Sequence, residues 1–250
     1  MDRSARVAGH GLIVVFLTLL TQVGGLAWLL SLVVPWRWLA FLLSYAALFG
    51  VAHLAAPALG RQALPCFGEP LQMQSVAYCL TLRNFVTPEM ALVAGSAAEA
   101  VARDYPGTVT LALDGSFPFL DGMPLLPHLS HDDGQKLDFA FSYMKDGTYA
   151  PGITRSPFGY WAFELDNETD CPPVWLTTRW NMTWLQWLWP DRPLEPERTA
   201  ALARALLADP KVGKVFVEPP LARQLGLKDA KLRFQGCRAA RHDDHIHAQL

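Results

Sequence analysis

His242-Asp243-Asp244-His245-Ile246-His247 sets three histidines at spacings of three and two near the end of a 250-residue sequence. On a strand, residues two apart project from one face, so His245 and His247 share a side while Ile246 turns into the core. The stretch reads as a strand from His245 to Gln249 carrying an imidazole pair. A matching half lies upstream: His128-Leu129-Ser130-His131-Asp132-Asp133-Gly134-Gln135-Lys136-Leu137-Asp138. Five of the seven histidines fall in these two segments. Imidazole and carboxylate are the ligands zinc takes when sulfur is not used, and a catalytic zinc takes three of them and keeps one position open. The two halves together predict a hydrolytic zinc centre built from a strand and a loop.

The upstream half fits that plan. His131 and Asp138 are too far apart for one helical face, so the link is a loop turning into a strand, and Gly134 suits the turn. Leu137, Phe139 and Phe141 alternate with Asp138 and Ala140 over 137–143. That period of two puts Asp138 on the face opposite the large apolar side chains. Elsewhere the spacing predicts a helix over Pro88–Tyr105, a strand over Thr108–Leu113 ending in the Asp114-Gly115 turn signal, and a loop over 146–179. A short helix is expected over Thr178–Trp189, which carries four of the nine tryptophans. A helix over Glu195–Leu207, a strand over Val212–Val217 and a helical turn over Leu221–Leu225 follow. Strands and helices alternate irregularly, which predicts an α+β domain with a small antiparallel sheet and flanking helices.

The N-terminal quarter is of another kind. No charged residue occurs from Gly11 to Trp36 or from Trp38 to Gly60. Each run reaches the length of about 20 apolar residues that a bilayer core demands. Pro35-Trp36-Arg37-Trp38 has the composition of an interfacial turn, so 1–60 reads as a two-helix transmembrane hairpin. The runs are too long for a signal peptide; a helical pair in a soluble core is the competing arrangement. Ala56–Pro70 reads as a linker, 61–107 as linker and helical start of the domain, and 108–250 as the catalytic part. Arg3, Arg6 and Arg61 favour a cytoplasmic location for both ends, while Arg37 argues the opposite. A net charge of −2 without a basic stripe gives no reason to expect nucleic acid. The four cysteines form no C-x-x-C pair, which argues against a sulfur zinc site. They suit either two disulfides in an oxidising compartment, such as Cys66–Cys79 and Cys171–Cys237, or four buried thiols.

The patterns His131-x-x-Gly134-x-x-x-Asp138 and His245-x-His247 resemble the LAS metallopeptidases, the group of lysostaphin-type endopeptidases and D-Ala-D-Ala peptidases. More narrowly, His128-x-Ser130-His131 and the 242–247 segment resemble the penicillin-insensitive murein endopeptidases. Asp209-Pro210-Lys211-Val212-Gly213-Lys214-Val215-Phe216-Val217-Glu218-Pro219 is similar to that family's approach to its last motif. The resemblance spans Thr108 to Leu250 and leaves out the hairpin. It implies a LAS-like fold and a Zn2+ ion held by His131, Asp138 and His247. His245 would act as general base or oxyanion partner, and His128 and His242 would line the site. The substrate would be a peptidoglycan peptide. The protein would then sit in the lipid of a bacterial inner membrane with its domain in the periplasm.

Asp243 and Asp244 either fix histidine tautomers or serve a turn. Lys136 stands where the family has a small or apolar residue, and is expected to point outward. Only three residues follow His247, so no cover for the site is expected from downstream. Arg179 and Asn181 are candidates for a peptide carboxylate. The tryptophans of 175–189 suit core packing, a substrate platform or the bilayer. The sequons at Asn167 and Asn181 read as chance. The same metal pattern serves a D,D-carboxypeptidase, and a metal-binding interaction module without catalysis is a reading of a different class.

Overall fold

The computed structural model describes residues 3–165, 171–172, 175, 177–179 and 182–250. Asn167, Trp180 and Asn181, and with them both sequons and one candidate carboxylate contact, lie outside the described residues.

The first uncharged run is not one helix. α1 (Arg3–Thr21) stops at Gln22, whose φ is 67°. After a two-residue turn, α2 (Gly24–Ser31) runs back along α1. Glycine makes that reversal possible. A Cβ on Gly25 would lie 1.9 Å from Thr18 Oγ1 and 2.6 Å from the Val14 carbonyl oxygen. The His10 and Trp28 rings close the far end of this pair at 5.9 Å. α3 (Arg37–Ala55) then returns along α2, with Trp28 against Trp38 and Phe41 at 5.4 and 5.7 Å. A 3-10 turn, Ala56–Leu59, extends it.

Two segments, Arg3–Thr21 and Arg37–Leu59, are long and apolar enough to cross a membrane. Only 6% and 11% of their apolar windows are buried, unlike a helical pair in a soluble core. The helices dock on the domain at one end. The Gln22 side chain accepts a hydrogen bond from Phe119 N at 2.9 Å, and its amide approaches Met123 Sδ at 3.4 Å. Val23, Ala52 and Ala56 pack with Leu82, Phe85 and Phe119. Tyr45 donates to the Leu80 carbonyl at 2.7 Å.

The domain is a mixed α+β fold. Its short elements begin with β1 (Gln62–Ala63), β2 (Leu71–Met73), α4 (Val76–Leu80) and β3 (Phe85–Val86), which pairs with β1. α5 (Pro88–Asp104) starts as read, with Pro88 in its first turn and the Thr87 hydroxyl accepting from Met90 N. Then come β4 (Thr110–Ala112), β5 (Lys136–Ala140) and the small hairpin β6 (Met144–Lys145) and β7 (Thr148–Tyr149). A 3-10 helix over Thr183–Leu188 stands where a short helix was expected. α6 (Pro196–Ala208), capped by the Glu195 carboxylate on Arg198 N, leads to β8 (Lys214–Phe216), α7 (Pro219–Gln224), β9 (Leu232–Arg233) and β10 (His245–Gln249).

The six-stranded sheet has the order β2-β4-β5-β10-β8-β9. It corrects the expected antiparallel sheet: the outer pairs β2–β4 and β8–β9 are parallel, and only the four central strands pair antiparallel. Both unforeseen strands are three residues or fewer, too short to carry a periodic signal. α5 and α6 pack on each other and against one face of the sheet, where Leu137, Phe139, Val215, Ile246 and Ala248 are buried with Met90, Val93, Leu202 and Leu206. Cys66–Cys79 and Cys171–Cys237 are disulfides.

Ile246 is fully buried in the central strand. Ile246→Ala should therefore cost about 2–5 kcal/mol. Denaturant unfolding of the detergent-solubilised chain measures it, and a loss below the lower bound would show a core that collapses around the deletion.

Candidate metal centre

The centre is set by strand register. β5 and β10 are antiparallel neighbours with His247 opposite Asp138, Ile246 opposite Phe139 and His245 opposite Ala140. Directly opposed residues point to the same face. Asp138 and His247 therefore emerge together on the side away from α5 and α6, with His245 one step along.

His131 comes from the loop before β5. Gly134 turns that loop with φ 72°, and its carbonyl accepts from Thr87 N at 2.9 Å. The Arg61 guanidinium lies against Gly134, where an added Cβ would come within 2.8 Å of Nε. The Nδ1 of His131 meets the Gly115 carbonyl at 3.0 Å, so Nδ1 carries the proton and Nε2 keeps its lone pair.

Three atoms converge. His247 Nδ1 is 2.7 Å from Asp138 Oδ1. His131 Nε2 is 3.1 Å from His247 Nδ1 and 3.3 Å from Asp138 Oδ1. All three residues are buried. Ligands bonded to zinc at about 2.0–2.2 Å sit about 3.3 Å apart around a tetrahedron. This triangle is of that size. The group could hold a metal ion.

The remaining predicted residues ring the triangle. His245 Nε2 is 3.7 Å from Asp138 Oδ2. Its Nδ1 is bonded to Asp244, which also accepts from Trp161 N. His128 Nδ1 reaches Asp114 Oδ2 at 2.9 Å and lies 3.6 Å from Asp138 Oδ2. The His242 ring sits 4.9 Å from that of His245 and 5.6 Å from that of Phe216. Its buried Nδ1 has no partner among the described residues.

Other candidates resolve differently. Asp244 does fix a histidine, but Asp243 is bound to Arg241 and to Leu165 N. Arg179 is not free for a substrate carboxylate, because Glu218 holds it at 2.8 Å. Lys136 does not point out into solvent as expected: its side chain is only 12% exposed and is held by Asp133 at 2.7 Å. Trp175, Trp184 and Trp187 are exposed, so they do not form a core.

Three residues escaped sequence reading. Tyr160 donates to Asp138 Oδ2 at 2.8 Å and accepts from Asp114 N. Asp114, read only as a turn signal, is gripped by Arg83 at 2.6 and 2.7 Å and supports His128. Only the Asp114-Gly115 dipeptide left a trace in the sequence; Tyr160 and Arg83 sit in segments without pattern.

Burial opposes charge on Asp138, but His131, His245 and His247 outweigh it and hold the carboxyl well below the usual range. Burial lowers His247 to about 4. Burial, joined by repulsion from His245 and His247, also drives His242 well down. His245 is raised to about 9, because Asp138 and Asp244 overcome its desolvation. Desolvation likewise opposes a charged His131, and Asp138 again wins and raises it. Asp114, with Arg83 overcoming burial, falls to about 2.

The sequence matches no protein-family model and no curated protein. The geometry alone carries the centre.

When His131 is charged its Nε2, the ligand atom, carries a second proton; that form persists to higher pH than usual, and a metal entering the triangle must displace it. Apparent affinity for a divalent ion should then fall as pH drops from about 8 to about 5.5. Titration with Zn2+ by calorimetry checks the slope, and His247→Ala or Asp138→Asn should abolish stoichiometric binding. Binding independent of pH would count against the triangle as the ligand set.

Proposed function

We propose that this chain is a membrane-anchored zinc metallopeptidase that hydrolyses amide bonds in peptidoglycan peptides. The convergence of His131 Nε2, Asp138 Oδ1 and His247 Nδ1 within 3.3 Å of one another carries the reading. Two neutral imidazoles and one carboxylate are a ligand set that suits zinc and leaves the site net positive. A zinc ion there would supply Lewis acidity, polarising a carbonyl and lowering the pKa of a water molecule toward neutrality.

The chain's own groups do the rest. Asp244 accepts a hydrogen bond from Nδ1–H of His245 and leaves Nε2 facing the triangle. That nitrogen is placed to hold or move a proton beside the metal ligands. The lift on His245 comes largely from Asp138, so an ion that engages Asp138 brings His245 back toward the range useful for proton transfer. His128, partly exposed and fixed through Nδ1 by Asp114, has Nε2 left to orient a substrate. His242 is buried and neutral and braces His245. Peptidoglycan as substrate rests on the resemblance of the two histidine motifs to murein endopeptidases.

A periplasmic domain is part of the reading. α1 and α3 both end against the domain, so Arg3, Arg6 and Arg37 all start from the far end of the helices. Arg61, which sequence counting set against this topology, is buried and paired with Asp121. Basic residues gathered at the far end favour a cytoplasmic location for it and an outward domain. Two disulfides suit that compartment.

Zinc-loaded full-length chain in detergent should release muropeptide fragments from purified sacculi, and a chelator should stop it. His245→Ala should keep the metal and lose about 10²–10⁴ in kcat. No release with a zinc-loaded protein would overturn the peptidase reading; release of terminal D-alanine alone would move it to a D,D-carboxypeptidase. A reporter active only outside the cytoplasm, fused after Leu250, should be active, and an inactive one would remove murein as the substrate.

A further inference from the structure

The loop from Phe117 to Ser130 joins the N-terminal helices to the histidine centre. At one end it meets the membrane helices, through Gln22 on Phe119 N and Met123 and through Phe119 packed beside Val23 and Ala56. At the other end it carries His128 and leads into His131. Between them its exposed side chains are mostly apolar, with Asp121, 70% exposed, the exception. Leu120, Leu126 and Leu129 are 62%, 48% and 60% exposed. Asp121 is the loop's only charged residue, and it is paired with Arg61.

The same character continues across the docking point. α4 is tied to α3 by the hydrogen bond from Tyr45 to Leu80, and its Val76 and Leu80 side chains are exposed, Leu80 at 57%. Leu82, Phe85 and Phe119, packed on Val23, Ala52 and Ala56, fill the space between α4 and the loop. An apolar belt thus surrounds the place where the helices enter the domain. It is continuous with the outward apolar faces of α1 and α3.

We propose that this belt is a lipid-contacting surface: the 117–130 loop dips its leucines into the bilayer interface, and the centre opens beside His128 at the membrane surface. Lipid is the occupant because the belt adjoins two helices whose apolar sides face outward. Exposed leucines in water cost free energy that burial among acyl chains recovers. A site held there meets substrates presented at the membrane and not those free in bulk. The inference rests on α1 and α3 lying in a bilayer, and is independent of which bond the centre cleaves.

All four native cysteines are in disulfides, so an introduced cysteine is the one free thiol. Leu126→Cys and Leu129→Cys, nitroxide-labelled in the full chain and reconstituted in phosphatidylethanolamine/phosphatidylglycerol vesicles, should be severalfold protected from an aqueous nickel chelate and open to oxygen. The reference is Lys228→Cys, exposed just before β9 at the opposite edge of the sheet. Leu12→Cys on α1 reports on the anchor itself. A lipid signal at Leu12 with aqueous signals at Leu126 and Leu129 would overturn the belt and leave the anchor standing. An aqueous signal at Leu12 would overturn both. Leu120→Cys supplies a third loop position should either label disturb the fold, which retained Zn2+ binding checks.

Discussion

The pairing of β5 with β10 is the constraint on which the rest depends. His247 stands opposite Asp138, and Ile246 stands opposite Phe139 on the buried side. Side chains alternate along both strands, so a one-residue slip of β10 would turn His245 and His247 into the helical layer, away from Asp138, and drive Ile246 outward. The core forbids that slip. Leu137, Phe139, Ile246 and Ala248 are all fully buried against α5 and α6. The apolar half of each strand thus fixes the register, and the register assembles the polar half into a ligand set. Core packing and metal chemistry are two sides of the same ladder.

A buried carboxylate needs partners, and Asp138 has several. Its two oxygens meet His131, His247, Tyr160 and, more distantly, His128 and His245. A second ring then holds the first: Gly115 on His131, Asp114 with Arg83 on His128, and Asp244 on His245. Each outer contact commits one ring nitrogen and leaves the other turned inward, which is how proteins set tautomers at metal sites. The charge pattern follows. Asp114, lowered to about 2, stabilises the fold above its ordinary range near 3.8 and loses that contribution as pH falls toward its folded value. Asp114 is therefore charged throughout the range in which His131 and His247 are neutral.

The parts of this arrangement that were legible in the sequence are those with a short-range signature. His245-x-His247 around an apolar Ile246 could only be a strand with two imidazoles on one side, and β10 has the bounds read for it. Pro88 marked the start of α5, and the helical spacing over 195–207 marked α6. What was not legible depended on tertiary contact. The break at Gln22 has no proline to mark it; it exists because Gly24 and Gly25 let α2 lie directly on α1 and because Gln22 finds Phe119. Tyr160 reaches Asp138 from a loop without periodicity. The parallel edge strands β2 and β9 are held by neighbours and not by their own composition. Of the three readings open for the tryptophans of 175–189, the exposure of Trp175, Trp184, Trp187 and Trp189 removes core packing for those four.

Arg61 joins these strands of argument. It follows Gly60, which ends the 3-10 turn after α3, and it is buried in the domain. It pairs with Asp121 in the loop beside the membrane helices, and its guanidinium rests on Gly134 in the loop that delivers His131. A buried guanidinium is costly to desolvate; the Asp121 carboxylate accepts from Arg61 Nη2, while the buried Nε has no partner among the described residues. Here it spans the anchor exit, the 117–130 loop and the metal loop at once. Gly134 has no side chain because Arg61 occupies that space, and its left-handed backbone is the form that glycine tolerates. The shape of the loop that carries His131 is thus set in part by a residue at the exit of the N-terminal helices. The helices and the histidine centre are for that reason one mechanical unit, and a domain cut away after Gly60 would begin at the residue that shapes its own ligand loop.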